Sequence, residues 1–274
     1  MKPPVFTEDY ARFSPAEYLA EYYAQLTEEN KFLLRFYHDA YSSIGDRERM
    51  LEIGGGPTIY QLISASAHVS SIVFSEFLDV NRAEVRKWIE NHPQSFQWTE
   101  YFDLVSQLES EDGNNIHATS IEARARSRIK EIVHCDLNNE NPLSPAQYAP
   151  FDVVSSSFCI EGVRNDPRAF RSYLSNAASQ LKEKGTLILA MLKECERYKV
   201  GEHYFPAFPV DERFMREQLK ELNFGSIETC ALDSDGSRGF SGILCILAIK
   251  TTRARALRES TAASSATIPK QEAE

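Results

Sequence analysis

The sequence predicts an α/β fold: a mostly parallel sheet of seven strands, covered by helices on both faces and closed by an antiparallel C-terminal hairpin. Two observations carry this expectation. From residue 50 to residue 222, short apolar runs alternate with stretches of helical periodicity, the pattern of strand–helix crossovers. After residue 222 the alternation stops. The apolar runs 226–232 and 242–249 are separated only by the polar loop 233–241, too short for a crossover helix, so they should pair antiparallel. A length of 274 residues with 42% hydrophobic content favours one core, and residues 1–250 are expected to form a single domain.

The elements follow in order. Residues 1–48 form a helical N-terminal segment. Ser14-Pro15-Ala16-Glu17 supplies a capping serine, proline at the first helical position and a glutamate placed to return a bond to the cap. Tyr18 and Tyr22 then share one helix face, with Leu19 and Tyr23 on an adjacent one. A second helix starts at Thr27 and carries Phe32, Leu33, Phe36 and Tyr37. Met50-Leu51-Glu52-Ile53 is the first strand, followed by a helix through Tyr60, Leu62 and Ile63. Residues 71–74 are the second strand, with a helix over 79–90. Residues 131–135 and 151–154 are the third and fourth, and Asp166-Pro167 caps the next helix. Residues 187–192 are the fifth strand, and a helix over 211–222 precedes the hairpin. The polar stretch 109–115 reads as a surface loop. Residues 251–274, with Leu257 and Ile268 as isolated large apolar residues, cannot offset their ordering entropy and read as a disordered tail.

Charge and cysteine usage narrow the function. A net charge of −10 and a pI near 5.2 disfavour polyanionic partners. The run Arg124-Ala125-Arg126-Ser127-Arg128 reads as a solvated helix face rather than a nucleic-acid patch. No segment approaches the roughly 18 consecutive apolar residues that cross a bilayer, so no membrane partner is expected. The five cysteines (Cys135, Cys159, Cys195, Cys230 and Cys245) are scattered, with no C-x-x-C pair, and suggest neither a disulfide framework nor a zinc site. No metal is expected. The N-terminus has no basic-then-apolar leader pattern, and the chain reads as a cytoplasmic monomer.

In an open α/β sheet, ligands bind beyond the carboxyl ends of the strands, where strand order reverses. The first strand ends in Glu52-Ile53-Gly54-Gly55-Gly56-Pro57-Thr58, whose glycines let a ligand approach the main chain. A tight strand-to-helix turn would need them for structural reasons alone. Pro57 fits the first turn of the next helix, where free N–H groups favour an amino-acid carboxylate. The second strand ends in Ser75-Glu76-Phe77. A carboxylate about twenty residues beyond the glycine loop can accept bonds from both hydroxyls of a ribose, and Phe77 can pack on an adenine face. The third ends in His134-Cys135-Asp136-Leu137. Asp136 can hold adenine's exocyclic amine while Leu137 flanks the ring, or it can simply cap the strand end. His134 has no second histidine at metal spacing. A dinucleotide dehydrogenase would use the same acid and glycines, but Ile59 stands where its G-x-G-x-x-G fingerprint needs the third glycine. The terminal hairpin also counts against it. S-adenosyl-L-methionine is the expected cofactor.

These residues resemble those of the small-molecule amine N-methyltransferases, which include phenylethanolamine, nicotinamide, indolethylamine and thioether methyltransferases. The likeness runs from about residue 10 to residue 250. Arg12-Phe13-Ser14-Pro15-Ala16-Glu17-Tyr18-Leu19 with Tyr22-Tyr23 resembles the family's N-terminal lid. Glu52-Ile53-Gly54-Gly55-Gly56-Pro57-Thr58-Ile59-Tyr60-Gln61-Leu62 resembles its D-I-G-S-G-P-T-x-Y-Q-L loop. Glu76-Phe77-Leu78-Asp79-Val80-Asn81-Arg82 is similar to the phenylethanolamine branch, and Ser157-Phe158-Cys159-Ile160-Glu161 to the start of the substrate pocket. The resemblance implies a Rossmann-like, class I S-adenosylmethionine-dependent methyltransferase. It implies that Tyr10, Tyr18 and Tyr23 close over the cofactor, and that Gly54, Gly56, Thr58 and Tyr60 meet its methionine part. Glu76, Phe77 and Asn81 would hold ribose and adenine, with Asp136, Leu137 and Ser157 completing the adenosine contacts.

There are departures. Gly55 stands for the usual serine and Glu76 for the usual aspartate. The nicotinamide branch's acid at the end of the fifth strand aligns with Ala190, which disfavours nicotinamide. An acid of the phenylethanolamine branch falls at Arg238-Gly239, so the catecholamine substrate is not carried over. For the acceptor, Glu161 and Glu194 follow adjacent strands on the ligand side, and the resemblance aligns both with carboxylates that hold the substrate amine. Two acids there can bind an ammonium and pass its proton on. Phe158, Tyr198 and Tyr22 are candidates for the apolar wall, where aromatic faces tolerate a cation. A small amine is therefore the expected substrate. An O- or S-methyltransferase, and a binding protein with an inactive cofactor site, remain as alternatives.

Overall fold

The computed structural model describes residues 10–111, 113 and 116–252. Beyond Thr251 and Thr252, the expected tail lies outside the described residues, as do residues 1–9 of the N-terminal segment and 112, 114 and 115 of the expected loop.

The strands β1 (Arg47–Ile53), β2 (Val69–Glu76), β3 (Ile129–His134), β4 (Phe151–Ser157) and β5 (Leu181–Lys193) are parallel. A ribbon of β6 (Arg197–Val200) and β7 (His203–Pro206) follows, then β8 (Phe224–Asp233) and β9 (Gly242–Lys250). The main sheet runs β3-β2-β1-β4-β5-β9-β8, with β9 antiparallel to both of its neighbours. Strand order therefore reverses between β1 and β4. That is the sheet expected from the sequence, and the ribbon is an addition to it.

Successive residues of a strand point to opposite faces, and here both faces are buried. Met50, Phe74, Val153 and Ile188 enter one layer of the core; Leu51, Val73, Val154 and Leu187 enter the other. The first layer is covered by α1 (Pro15–Tyr22), α2 (Glu28–Ile44), α3 (Tyr60–Ile63), α4 (Ala65–His68), α5 (Asp79–Ile89), α6 (Thr99–Glu111) and α7 (Ala118–Arg128). The second is covered by α8 (Pro167–Ser179) and α9 (Glu212–Glu221). Side-chain caps set several starts: Ser14 for α1, Thr27 for α2, Asp166 for α8 and Asp211 for α9 each accept a main-chain N–H.

Five local expectations are corrected. Glu17 leaves its carboxylate against Gly201 of the ribbon turn rather than returning it to the Ser14 cap. Pro57 is not in a helical first turn, because the helix begins at Tyr60 and breaks at Ser64 after one turn. Residues 109–111 are not loop but the last turn of α6. There Glu109 is buried, because its carboxylate takes the Arg124 guanidinium of α7. The Arg124–Arg128 run is accordingly not a freely solvated face: Arg124 holds Glu109, and Arg126 lies 4.5 Å over the Trp88 ring. Finally, Thr251 is tied to Asn223 by its main-chain N–H (2.8 Å) and its hydroxyl (2.7 Å). No helix among the described residues is long and apolar enough to cross a membrane.

Candidate active site

A cleft of about 1480 Å³, counting the space open at its mouth, lies beyond the carboxyl ends of β1, β2, β4 and β5. It sits at the point where strand order reverses, the place a ligand site occupies in such a sheet.

The glycine loop forms its floor. Gly54 has φ +63°, and a Cβ there would stand 2.0 Å from the Cys159 sulfur, so only glycine fits. Gly56 has φ +61° and nothing within 4 Å of where a Cβ would be; its open side lines the cleft. Side chains hold the loop from beneath. The Thr58 hydroxyl donates to the Gly55 carbonyl (2.8 Å), and Gln61 Nε2 lies 3.2 Å from that carbonyl and 3.3 Å from Glu52 Oε1. Glu52 is fully buried, which pushes its carboxyl up to about 8, against the lowering effect of Ser155 and Gln61. Thr58 and Tyr60 line the cleft as expected. The buried acid below was missed, since a strand glutamate gives no sign of burial.

Glu76 ends β2 and is buried. Its Oε2 accepts the Gly56 N–H (3.1 Å), while Oε1 accepts the Leu78 N–H (2.9 Å) and Asn81 Nδ2 (3.1 Å). Burial raises its pKa, and these hydrogen bonds pull back. The acid thus joins the glycine loop to the start of α5. Asn81 lines the cleft, and its Oδ1 is buried with no hydrogen-bond partner among the described residues. Phe77 is 38% exposed at the cleft edge, an unusual position for a phenylalanine, and is backed by the His134 ring at 5.3 Å. Asp136 and Leu137 complete this side. Asp136 Oδ1 accepts from the main chain (2.9 Å) and side chain (2.8 Å) of Asn138, a cleft residue the sequence reading did not select. Ser157 shares a 2.5 Å hydrogen bond with Tyr37. Among the described residues, no group of His, Cys, Asp and Glu could hold a metal.

The lid residues Tyr10, Tyr18 and Tyr23 also line the cleft. The Tyr18 and Tyr23 hydroxyls are 3.4 Å apart, and Tyr23 packs 5.1 Å from the Tyr60 ring. The N-terminal segment also rests on the ribbon, which the sequence reading missed. Tyr10 and Phe13 pack on Phe205 at 5.3 and 5.6 Å, Tyr22 donates to the Lys199 carbonyl (2.6 Å), and the Gly201 N–H donates to Glu21 (3.2 Å). The signal was present. Gly201-Glu202 is a two-residue loop, glycine first at φ +57°, between runs containing Tyr198 and Tyr204-Phe205.

The acceptor side holds the correction that matters most. Glu161 lines the cleft and is 1% exposed. Its Oε1 accepts the Leu192 N–H (2.9 Å), and its Oε2 has no hydrogen-bond partner among the described residues. Burial pushes this carboxyl up to about 7. Glu194, in contrast, is exposed and lies outside the cleft lining. It sits at φ +53°, with its N–H donated to Val210, so the chain has already turned away from the sheet. The two acids do not form a pair. Phe158, Tyr22 and Tyr198 do line the cleft. Phe158 takes φ +54°, a conformation bulky residues rarely adopt, with its N–H bonded to Ala190 at 2.7 Å. Two further ionic residues reach the cleft: Arg238 of the β8–β9 loop, and Glu29 of α2, which it engages. A first-turn glutamate is ordinarily read as helix-dipole complement, which hid Glu29.

The comparisons with known proteins fit this geometry. The profile of the NNMT/PNMT/TEMT family matches residues 5–250. Nicotinamide N-methyltransferase of Homo sapiens is 29% identical over 221 residues, 78% of this chain and 83% of that protein. Phenylethanolamine N-methyltransferase of Bos taurus is 33% identical over 221 residues, 77% of each chain. In fold, the chain is similar to the Burkholderia thailandensis 1,6-didemethyltoxoflavin-N1-methyltransferase solved with S-adenosylhomocysteine. That match has a TM-score of 0.53 and 14% identity, over 92% of this chain and 93% of the other. With a switch-point cleft, a glycine loop tied to the buried Glu76 carboxylate and a family profile spanning nearly all described residues, this chain belongs to the NNMT/PNMT/TEMT family.

Proposed function

We propose that this enzyme transfers a methyl group from S-adenosyl-L-methionine to the nitrogen of a small amine, with Glu161 as the group that binds the amine and takes its proton. The cofactor half fits the donor. Gly56 offers open main chain, Asn81 Oδ1 is a buried acceptor awaiting a donor, Glu76 faces the same hollow, and Phe77 presents an exposed ring face. Gly54, Gly56, Thr58, Tyr60, Tyr18 and Tyr23 would hold the methionine end. Glu76, Phe77, Asn81, Asp136, Leu137 and Ser157 would hold adenosine, with Tyr10 closing above. The bound cofactor supplies an electrophilic methyl group on a positively charged sulfur.

The observation that carries the acceptor assignment is the Glu161 carboxylate. It belongs to a residue that lines the cleft, one oxygen is fixed by the Leu192 N–H, and the other is buried with no hydrogen-bond partner among the described residues. A buried anion with a free oxygen is costly; an ammonium placed against it satisfies both. An aliphatic ammonium gives up its proton near pH ~10.4 and an ordinary glutamate near ~4.3, a gap of roughly six units. A carboxyl raised to about 7 removes close to half of that gap. Glu161 therefore binds the cation and is a far better base for it than a solvated glutamate. The aromatic wall of Tyr22, Phe158 and Tyr198 excludes water and aims the freed lone pair.

This reading takes residues 1–250 as one methyltransferase unit, and its five free thiols suit a reducing, cytoplasmic setting. Methyl transfer from labelled cofactor to a panel of primary amines, alcohols and thiols of matched shape tests it. Labelled N-methyl products are expected. Label on oxygen or sulfur alone would overturn the nitrogen assignment.

A further inference from the structure

The acceptor half of the cleft carries charges of both signs, and they are not placed alike. Glu161 is buried at the floor. Arg238 stands at the rim with 48% of its side chain exposed, its guanidinium 4.7 Å over the Phe240 ring and Nη2 donating to Glu29. Aromatic and aliphatic side chains lie between them. Tyr18 feels the Glu161 charge, its ring is 5.2 Å from Tyr22, and Tyr22 in turn feels Arg238 and Glu29. Leu192, Phe240 and Ile243 add apolar lining to the cleft that both charges share.

Building on the amine-methylation reading, we propose that Arg238 sets substrate specificity by binding a carboxylate carried by the amine at the end remote from the reacting nitrogen. A simple ammonium needs only Glu161, and a fixed cation at the rim works against it. A zwitterion with an apolar body between its charges meets a complementary charge at each end. Glu29 does not close this role. An ion pair whose arginine is half in solvent is weak, and a guanidinium has five N–H donors in a fork that suits a carboxylate. The Phe240 ring under the guanidinium holds the fork in place. Glu29 then acts as a weak competitor that releases Arg238 when a substrate carboxylate arrives.

The test uses the full chain and two matched pairs of amines: benzylamine with 4-(aminomethyl)benzoate, and hexylamine with 6-aminohexanoate. The carboxylated member of each pair should be preferred by about tenfold in kcat/KM, mostly through KM, the size of one charge-assisted contact. Arg238→Ala should collapse that ratio towards one, and Arg238→Lys should retain part of it. Glu29→Gln separates specificity from a merely structural latch between α2 and the hairpin loop. With Arg238 freed, the ratio should rise; a latch would make Glu29→Gln and Arg238→Ala depress both members of a pair alike, which overturns the proposal. Equal use of both members by the unaltered enzyme overturns it too and leaves the amine reading standing. Transfer to neither member, with the cofactor still binding in calorimetry, removes the amine reading and this inference with it.

Discussion

The proposed cofactor half of the cleft and its proposed acceptor half draw on different parts of the chain. Gly54, Glu76 and Asp136 stand at or just beyond the ends of three adjacent parallel strands, and the register Ile53↔Ser75 and Glu76↔His134 fixes their spacing. The acceptor half is gathered from afar: Glu161 after β4, Tyr22 from α1, Tyr198 from the ribbon and Arg238 from the hairpin loop. Ladder hydrogen bonds hold the first; aromatic contacts and single side-chain bonds such as Tyr22 to Lys199 hold the second. The acceptor side can therefore change without disturbing the nucleoside side, which is how one fold comes to serve many substrates.

Glu161→Gln should break the acceptor half alone. We expect kcat to fall by about a hundredfold or more, the usual range for a lost general base, with cofactor affinity in calorimetry little changed. If Glu161 takes the substrate's proton as proposed, the active form of the unaltered enzyme carries it ionised. Its carboxyl lies at about 7, so kcat/KM should climb as pH rises through that value, and the variant should lose this limb. A full-strength limb in Glu161→Gln would assign the proton acceptor elsewhere. Glu76→Ala is the complementary break. It removes the acid that joins Gly56, Leu78 and Asn81, and cofactor binding should weaken by about tenfold. Unchanged affinity would remove the ribose role.

The same contrast explains what the sequence made legible. The sheet was readable because its strands are apolar runs alternating with stretches of helical periodicity, and Gly54, Glu76 and Asp136 were readable as cleft residues because each stands at or just beyond a strand end. The acceptor side was not. Glu161 and Glu194 look equivalent as text, each an acid just beyond a strand, but burial divides them, and the backbone turn at Glu194 leaves no one-residue signature. The ribbon 197–206 carried a short turn signal that the stronger pattern around it masked. Glu52 and Glu109 were hidden because a lone glutamate is ordinarily a surface residue. Their partners, Gln61 and Arg124, are what allow them inside.

Glu52 gives a smaller effect, on stability. Its folded value of about 8 lies above the ordinary 4.5, and Glu161 (about 7) shifts in the same direction. The folded chain therefore holds protons that the unfolded chain has released. The contribution is fully present below pH 4.5, declines as pH rises above that value, and is lost once pH has risen through 7 to 8. Thermal midpoints of the cofactor-free protein should fall across that window. Glu52→Gln should flatten the decline by a few degrees, on the scale of about 1 kcal/mol or more at the alkaline end. Parallel pH curves for the two proteins would mean that Glu52 is not held neutral.

The smallest effect is expected at Glu194, and it sharpens the comparison most economically. If an acid's position after a strand were enough, Glu194→Gln would resemble Glu161→Gln. The structure gives the two residues different surroundings: Glu161 lines the cleft and has a buried, unpartnered oxygen, whereas Glu194 is exposed and outside the lining. An exposed carboxylate is screened by water and ions and affects a site beyond its reach only weakly. Glu194→Gln should therefore keep kcat/KM within about twofold, as surface changes away from a site commonly do. A loss approaching that of Glu161→Gln would mean that the chain after β5 turns inward when substrate binds, bringing a second acid to the amine. In that case the acceptor half would be assembled only by closure, and its contrast with the preformed cofactor half would be greater still.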